Sequence, residues 1–203
     1  MKMNLPNKLT VIRMMMVPVF VIVLMVSDAI WASVLGIVLF VAAAFTDMLD
    51  GKIARRDNLV TDFGKFLDPL ADKFMVIGAM LVILFRAMMA ENRNELFCNL
   101  FFWALVVVIF RELAVTSIRL VASGSKGIVI AANMLGKIKT VTQIACVVAC
   151  LAEPLLYENI GALGFLMEYL PLSIALTALM IFFTLWSGIN YIVSYWKYLD
   201  PEK

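Results

Sequence analysis

Residues 47 to 72 read DMLDGKIARRDNLVTDFGKFLDPLAD. The skeleton is D-x2-D-G-x2-A-R-x8-G-x3-D-x3-D, with acids at Asp47, Asp50, Asp68 and Asp72 and with Gly51, Ala54, Arg55 and Gly64 between them. Apolar runs flank this stretch, one ending at Phe45 and the next resuming at Phe74. A charged side chain deep in a bilayer costs about 2.5–3.5 kcal/mol, so acids at this position need a strong physical reason.

Outward from that stretch the chain is greasy. It has 203 residues, 64% of them hydrophobic, and a mean hydropathy of +0.97, where soluble domains are about 45–50% apolar. This composition reads as an all-α integral membrane protein with a single membrane domain over residues 1–203. At about 20 residues per crossing there is room for about six transmembrane helices. The spans are expected near 11–26, 31–55, 60–86, 97–121, 132–151 and 170–196. A short interfacial helix is expected ahead of the first, in residues 1–10, where Pro6 stands near the start of a helical pattern. Turns are predicted at Ser27-Asp28-Ala29 and Asp57-Asn58, and loops at 87–95, 122–127 and 153–168. The early turns of the third span, with Asp62, Gly64 and Lys65, are expected to project beyond the lipid. The first apolar run has no small-residue cleavage site after it and reads as a span rather than a removed leader.

With the N-terminus inside, only Arg86 and Arg93 of the 17 basic residues fall outside. Basic residues favour the cytoplasmic side, so both termini and the acidic stretch are expected to be cytoplasmic. Histidine is absent, which excludes histidine bases, nucleophiles and metal ligands. A metal would be held by oxygen, favouring Mg²⁺, Mn²⁺ or Ca²⁺ over zinc. Cys146 and Cys150 share a helix face among Val and Ala and read as packing. The segment GSKGIVI does not match the phosphate-binding P-loop pattern, and no nucleic-acid partner is expected.

At 100° per residue, Asp47, Asp50, Gly51 and Ala54 fall on one helix face, with Arg55 beside them. Gly64, Asp68 and Asp72 recur every fourth residue on the next helix. A turn between the two brings four carboxylates together with small residues that leave room for a bulky ligand. Like charges repel, so something cationic must sit among them. Two divalent ions would serve, and such a pair can clamp a phosphoryl group during displacement. Lys52, Arg55, Lys65 and Lys73 could neutralise the acids instead, as a membrane-edge ion-pair cluster. A carboxylate-lined ion or metal transporter is the remaining alternative, although transport sites usually lie near the midplane on broken helices.

The stretch Asp47 to Asp72 resembles the signature of the CDP-alcohol phosphatidyltransferase family at every fixed position. NKLTVIR (Asn7 to Arg13), FLDPLADK (Phe66 to Lys73), FREL and SIRL (Phe110 to Leu120) and GKIKT (Gly136 to Thr140) resemble the branch that uses a glycerol phosphate acceptor. The resemblance implies six transmembrane helices, a homodimer in the bacterial plasma membrane and a cytoplasmic site. It implies that Asp47, Asp50, Asp68 and Asp72 bind two divalent ions, Mg²⁺ or Mn²⁺, and that Asp72 is the general base. It implies that Asn7, Thr10, Asp50, Gly51, Ala54, Arg55 and Gly64 bind CDP-diacylglycerol. The implied reaction is transfer of its phosphatidyl group to sn-glycerol 3-phosphate with release of CMP.

A second basic cluster bears on the acceptor. Arg111 and Arg119 lie eight residues apart on the fourth span, and Lys137 and Lys139 lie early in the fifth. Arginine grips phosphate with two hydrogen bonds and lysine adds a point charge, so these four are the candidate acceptor-phosphate residues. The alternative is that they are topogenic, or paired with neighbouring acids, as Arg111 could be. Inositol phosphate and phosphatidylglycerol also carry phosphate, so charge alone leaves the acceptor open. The resemblance at FREL, SIRL and GKIKT selects sn-glycerol 3-phosphate.

Overall fold

The computed structural model describes residues 4–56, 61–126 and 134–196 and, within these, every side chain except those at 50, 52, 54, 55, 62, 65, 120–126 and 161. The described residues form α1 (Leu5–Val26), α2 (Ile30–Arg56), α3 (Asp62–Met89), α4 (Glu95–Lys126), α5 (Met134–Asn159) and α6 (Pro171–Tyr195), with a short 3-10 segment at Gly161–Leu166. No strand occurs among them. The expected turn at Asp57-Asn58 and the tail after Trp196 lie outside the described residues.

An all-helical chain is what a bilayer requires, because a helix satisfies its own backbone hydrogen bonds. Five helices, α1, α2, α4, α5 and α6, are long and apolar enough to cross a membrane. α3 has 28 residues, about 42 Å at 1.5 Å per residue, but its first half carries Asp68, Asp72 and Lys73. The outward faces of the helices are apolar: Ile12, Met15, Val19 and Ile22 of α1 and Phe182, Leu185 and Ile189 of α6 are all exposed. Such faces suit lipid.

Three boundaries differ from the expectation. Among the described residues no separate interfacial helix precedes the first span; Asn4 caps α1, its side-chain oxygen accepting from the Asn7 N–H at 3.1 Å, and the helix runs unbroken to Val26. Pro6 falls in the first turn, where its missing N–H costs nothing. α4 continues through Ala122–Lys126, part of the expected loop. One glycine there costs a helix only about 1 kcal/mol. α5 continues to Asn159, through the start of the expected 153–168 loop.

The reason for the last difference is Glu153, which is 1% exposed. One carboxylate oxygen accepts from the Leu172 N–H and the Tyr157 hydroxyl, each at 2.8 Å, and the other accepts from the Ser173 N–H at 2.7 Å. A carboxylate at the start of α6 meets unsatisfied N–H groups and the positive end of the helix dipole. An acid that reads as a loop residue is therefore a buried anchor.

Side-chain contacts sort by end of the bundle. At one end the early turns of α1, α3 and α5 meet the late turns of α2, α4 and α6: Thr10 with Asp68, Arg13 with Asp47, Lys139 with Glu112, and Arg111 with Ser187. At the other end Arg86 bonds Asp28 and Ser33, Asn94 bonds the Glu168 carbonyl, and Glu153 holds α6. Successive helices thus alternate in direction. Between the ends lies an apolar core that includes Phe20, Phe40, Met80, Phe101, Val147 and Met180.

α1 packs against α2 and α3, and α6 against α4 and α5. A Cβ at Gly36 would lie 2.9 Å from Leu24, and one at Gly78 would lie 3.0 Å from Val17. Lipid tails are as apolar as leucine, so helices in a membrane associate by close packing across small residues.

The Glu153 anchor is testable by thermal unfolding in detergent. Glu153→Ala is expected to lower stability by about 2–3 kcal/mol, the scale of hydrogen bonds to a charged acceptor whose donors are left buried. Glu153→Gln, which keeps the shape and loses the charge, is expected to fall between Glu153→Ala and the parent.

Candidate functional site

The inward stripe of α1 comprises Asn7, Thr10, Arg13, Val17, Phe20 and Leu24, all buried. Its first half is polar and its second half apolar. The polar half faces the acidic stretch. Arg13 is fully buried and its guanidinium donates to Asp47, whose side chain is 44% exposed. One turn earlier, the Thr10 hydroxyl lies 2.7 Å from an Asp68 oxygen and 3.2 Å from the Pro6 carbonyl. One turn earlier again, the Asn7 amide donates to the Thr61 hydroxyl at 3.0 Å. Thr61 in turn caps α3, accepting from the Gly64 N–H at 3.0 Å.

Gly64 is buried where α1 and α3 touch. A Cβ there would lie 2.9 Å from the Asn7 side-chain oxygen and 3.3 Å from the Thr61 hydroxyl. Its lack of a side chain thus permits this helix contact. Asp47 and Asp68 are half-buried, and each commits one oxygen to α1. Asp50, Ala54 and Arg55 lie on α2 beyond Asp47, but their side chains fall outside the described residues. Gly51 is half-buried on the same helix.

The basic residues form a linked chain around Glu112. Its carboxylate accepts from Lys139 at 2.5 Å and from Arg111 at 3.1 Å. All three are nearly buried, at 8% for Glu112, 5% for Lys139 and 9% for Arg111, so none of these charges is left to water alone. Arg111 also donates to the Ser187 hydroxyl at 2.7 Å. Arg119 donates to the Tyr191 hydroxyl at 2.8 Å. The Tyr191 ring lies 5.7 Å from the Arg111 guanidinium and 5.0 Å from that of Arg119, within the range where ring and cation attract. Lys137 is exposed and lies outside this group.

A cavity of about 10 Å³ joins the acidic and basic sets. Asp72, Lys73, Glu112, Lys139 and Gln143 line it together with the apolar Val76, Ile77 and Val108. Asp72 and Lys139 come from different helices yet share this one space. Sequence reasoning brought out Asp72 and Lys139 and weighed the pairing of the cations with neighbouring acids, which Glu112 supplies, but gave no role to Arg13 or Gln143. A signal existed for each, since a charged or amide group in an apolar helix is expensive and needs a partner.

The donor set can be tested against a metal. Asp47, Asp68 and Asp72 offer carboxylate oxygens, with neither imidazole nor thiolate beside them, which suits a hard divalent cation. Among the described residues no three acidic or cysteine side chains form a metal-holding group, and the Asp50 carboxylate lies outside that description.

This is a helical membrane protein whose polar site sits at one end of the bundle, and residues 3–195 match the model of the CDP-alcohol phosphatidyltransferase family. The chain belongs to that family, whose members depend on divalent cations. It is 42% identical to the CDP-diacylglycerol–glycerol-3-phosphate 3-phosphatidyltransferase of Bacillus subtilis (strain 168), over 98% of each chain. It is 32% identical to the protein of the same name from Yersinia enterocolitica, over 99% of this chain and 100% of that one. A third, from Rickettsia felis, is 37% identical over 70% of this chain and 71% of its own.

The Gly64 contact yields a packing prediction. Gly64→Ala is expected to cost about 1–3 kcal/mol, because the methyl overpacks against a bonded Asn7. Asn7→Ala removes the obstructing oxygen, so the double variant is expected to lose less than the sum of the two single losses. Thermal unfolding of the four proteins in detergent measures this.

Proposed function

We propose that the chain transfers the phosphatidyl group of CDP-diacylglycerol to sn-glycerol 3-phosphate, giving phosphatidylglycerophosphate and CMP. The observation that carries this reading is the cavity shared by Asp72 and Lys139. It sets a carboxylate able to take a proton and a lysine cation on the wall of one small space. The names of the full-length relatives support the same reaction.

In this reading Asp72 is the general base. The acceptor hydroxyl oxygen attacks the phosphorus nearer the lipid while its proton passes to the Asp72 carboxylate. The new O–P bond forms as the bond to CMP breaks, and CMP departs with that electron pair. Asp47, Asp50, Asp68 and Asp72 would hold two divalent ions, Mg²⁺ or Mn²⁺, which when bound supply positive charge to the diphosphate. Asn7, Thr10, Gly51, Ala54, Arg55 and Gly64 form the CDP-diacylglycerol side. Asn7, Thr10 and Gly64 act largely by fixing the approach of α1 to α3, as their mutual contacts support.

On the acceptor side, Lys139 and Arg111 together exceed the charge of Glu112 by one, which leaves net attraction for a phosphate. Arg119 and Lys137 add charge nearer the surface. The lipid tails stay in the bilayer, which explains a site for soluble groups at the end of an apolar bundle. The same reading has α3 crossing as a sixth span, both termini and the site cytoplasmic, and the chain acting as a homodimer in the bacterial plasma membrane.

Purified protein with CDP-diacylglycerol, Mg²⁺ and each acceptor in turn tests the reaction. CMP release is expected to be fastest with sn-glycerol 3-phosphate; faster release with inositol phosphate or phosphatidylglycerol would defeat the assignment. Asp47→Asn and Asp68→Asn are expected to nearly abolish turnover with loss of metal binding. Asp72→Asn is expected to lower kcat by about 10²–10⁴, the usual worth of a general base, with metal binding less affected.

Topology has its own test. Cys98 is half-exposed at the start of α4, while Cys146 and Cys150 are buried. A membrane-impermeant thiol reagent on intact cells is expected to label Cys98, and Cys98→Ser is expected to abolish labelling. Labelling that survives in that variant would overturn the orientation.

A further inference from the structure

Gln143 stands one turn after Lys139 on α5. It is 1% exposed, and its side-chain nitrogen has no hydrogen-bond partner among the described residues. Buried amides are almost always paired, because an unmade bond forfeits the hydration that burial removed. This one lines the cavity that also meets Asp72, Lys139 and Glu112. At about 10 Å³, the space suits one water or one hydroxyl group and nothing larger. The unpartnered atom is the amide nitrogen, a donor, and a hydroxyl oxygen can accept from it. A cation could not accept that bond.

We propose that Gln143 is a specificity-determining residue that binds the secondary hydroxyl, on C2, of a three-carbon phosphate acceptor. The inference rests on the reading that Asp72 takes the proton of the reacting hydroxyl and that Lys139 faces the phosphate. In sn-glycerol 3-phosphate the C2 hydroxyl lies between those two ends. An acceptor held at Asp72 by C1 and near Lys139 by C3 brings its C2 hydroxyl to the cavity they share. The amide then gains the partner it lacks when no acceptor is bound. A site built to bond a hydroxyl discriminates strongly against a substrate without it, because the buried polar group is again left unmatched.

The experiment compares sn-glycerol 3-phosphate with propane-1,3-diol monophosphate, which lacks only the C2 hydroxyl. Purified protein and Gln143→Leu are assayed for CMP release from CDP-diacylglycerol with Mg²⁺. The parent is expected to favour sn-glycerol 3-phosphate in kcat/KM by about tenfold or more. Gln143→Leu is expected to lose most of that preference, falling by about tenfold or more with sn-glycerol 3-phosphate and little with the analogue. Its KM for CDP-diacylglycerol is expected to stay unchanged. Thermal stability in detergent is expected to hold or rise, since an unpaired buried amide has been removed.

A variant that keeps the preference overturns the proposal, whether it retains activity with both acceptors or loses both in proportion. Where Gln143→Leu does not fold, Gln143→Met carries the same comparison. A parent that uses sn-glycerol 3-phosphate, with a variant that still discriminates, defeats the Gln143 role alone. A parent that releases CMP with neither acceptor defeats the reaction itself and this inference with it.

Discussion

Arg13 has no exposed surface. A guanidinium taken wholly out of water must find an opposite charge, because burying an isolated ion costs more than a marginally stable fold can bear. Asp47 of α2 meets that need, and the pairing sets the register of α1 against α2. The neighbouring turns set the register against α3, through Thr10 to Asp68 and Asn7 to Thr61. Gly64 lets the backbones come close enough for these bonds to form. The positions of the carboxylates therefore depend on a helix remote from them in sequence. Arg13 also supplies part of the positive charge that a cluster of acids demands.

Glu112 does for the cations what Arg13 does for the acids. It gathers Lys139 from α5 and Arg111 from its own helix into one buried group. Arg111 then reaches α6 through Ser187. The ionic group thus ties three helices at the end where Asp72 also lies. Breaking one member of such a group leaves another charge buried without compensation, which is costlier than never having built it. The group contains two cations and one acid, with Asp72 lining the same small cavity.

The two ends of the bundle are built differently from the same material. The α1 stripe passes from Asn7, Thr10 and Arg13 to Val17, Phe20 and Leu24 without changing face. Polar partners therefore meet at one end and apolar partners in the middle. The opposite end is closed by Glu153 at the start of α6 and by Arg86 with Asp28. Exposed apolar side chains cover the outside along the length of α1 and α6.

Much of this was legible in the sequence. Hydropathy and length disclosed a helical membrane protein, because a span must be apolar over about 20 residues. The spacing of Asp47, Asp50, Asp68 and Asp72 led to the expectation of an acidic site, because helix periodicity aligns such residues on one face, and the structure shows α1 contacting two of them, Asp47 and Asp68. The same local rules missed the continuation of α5 through Glu153, since an acid reads as a loop unless its partners are known. Those partners, the N–H groups of Leu172 and Ser173, lie 19 and 20 residues away. Nor could spacing say that Arg111 and Lys139 share Glu112, that Lys137 turns outward, or that Gln143 and Asp72 face one cavity. Periodicity assigns a residue to a face of its own helix; which helix meets that face, and at what height, is decided only when the helices pack.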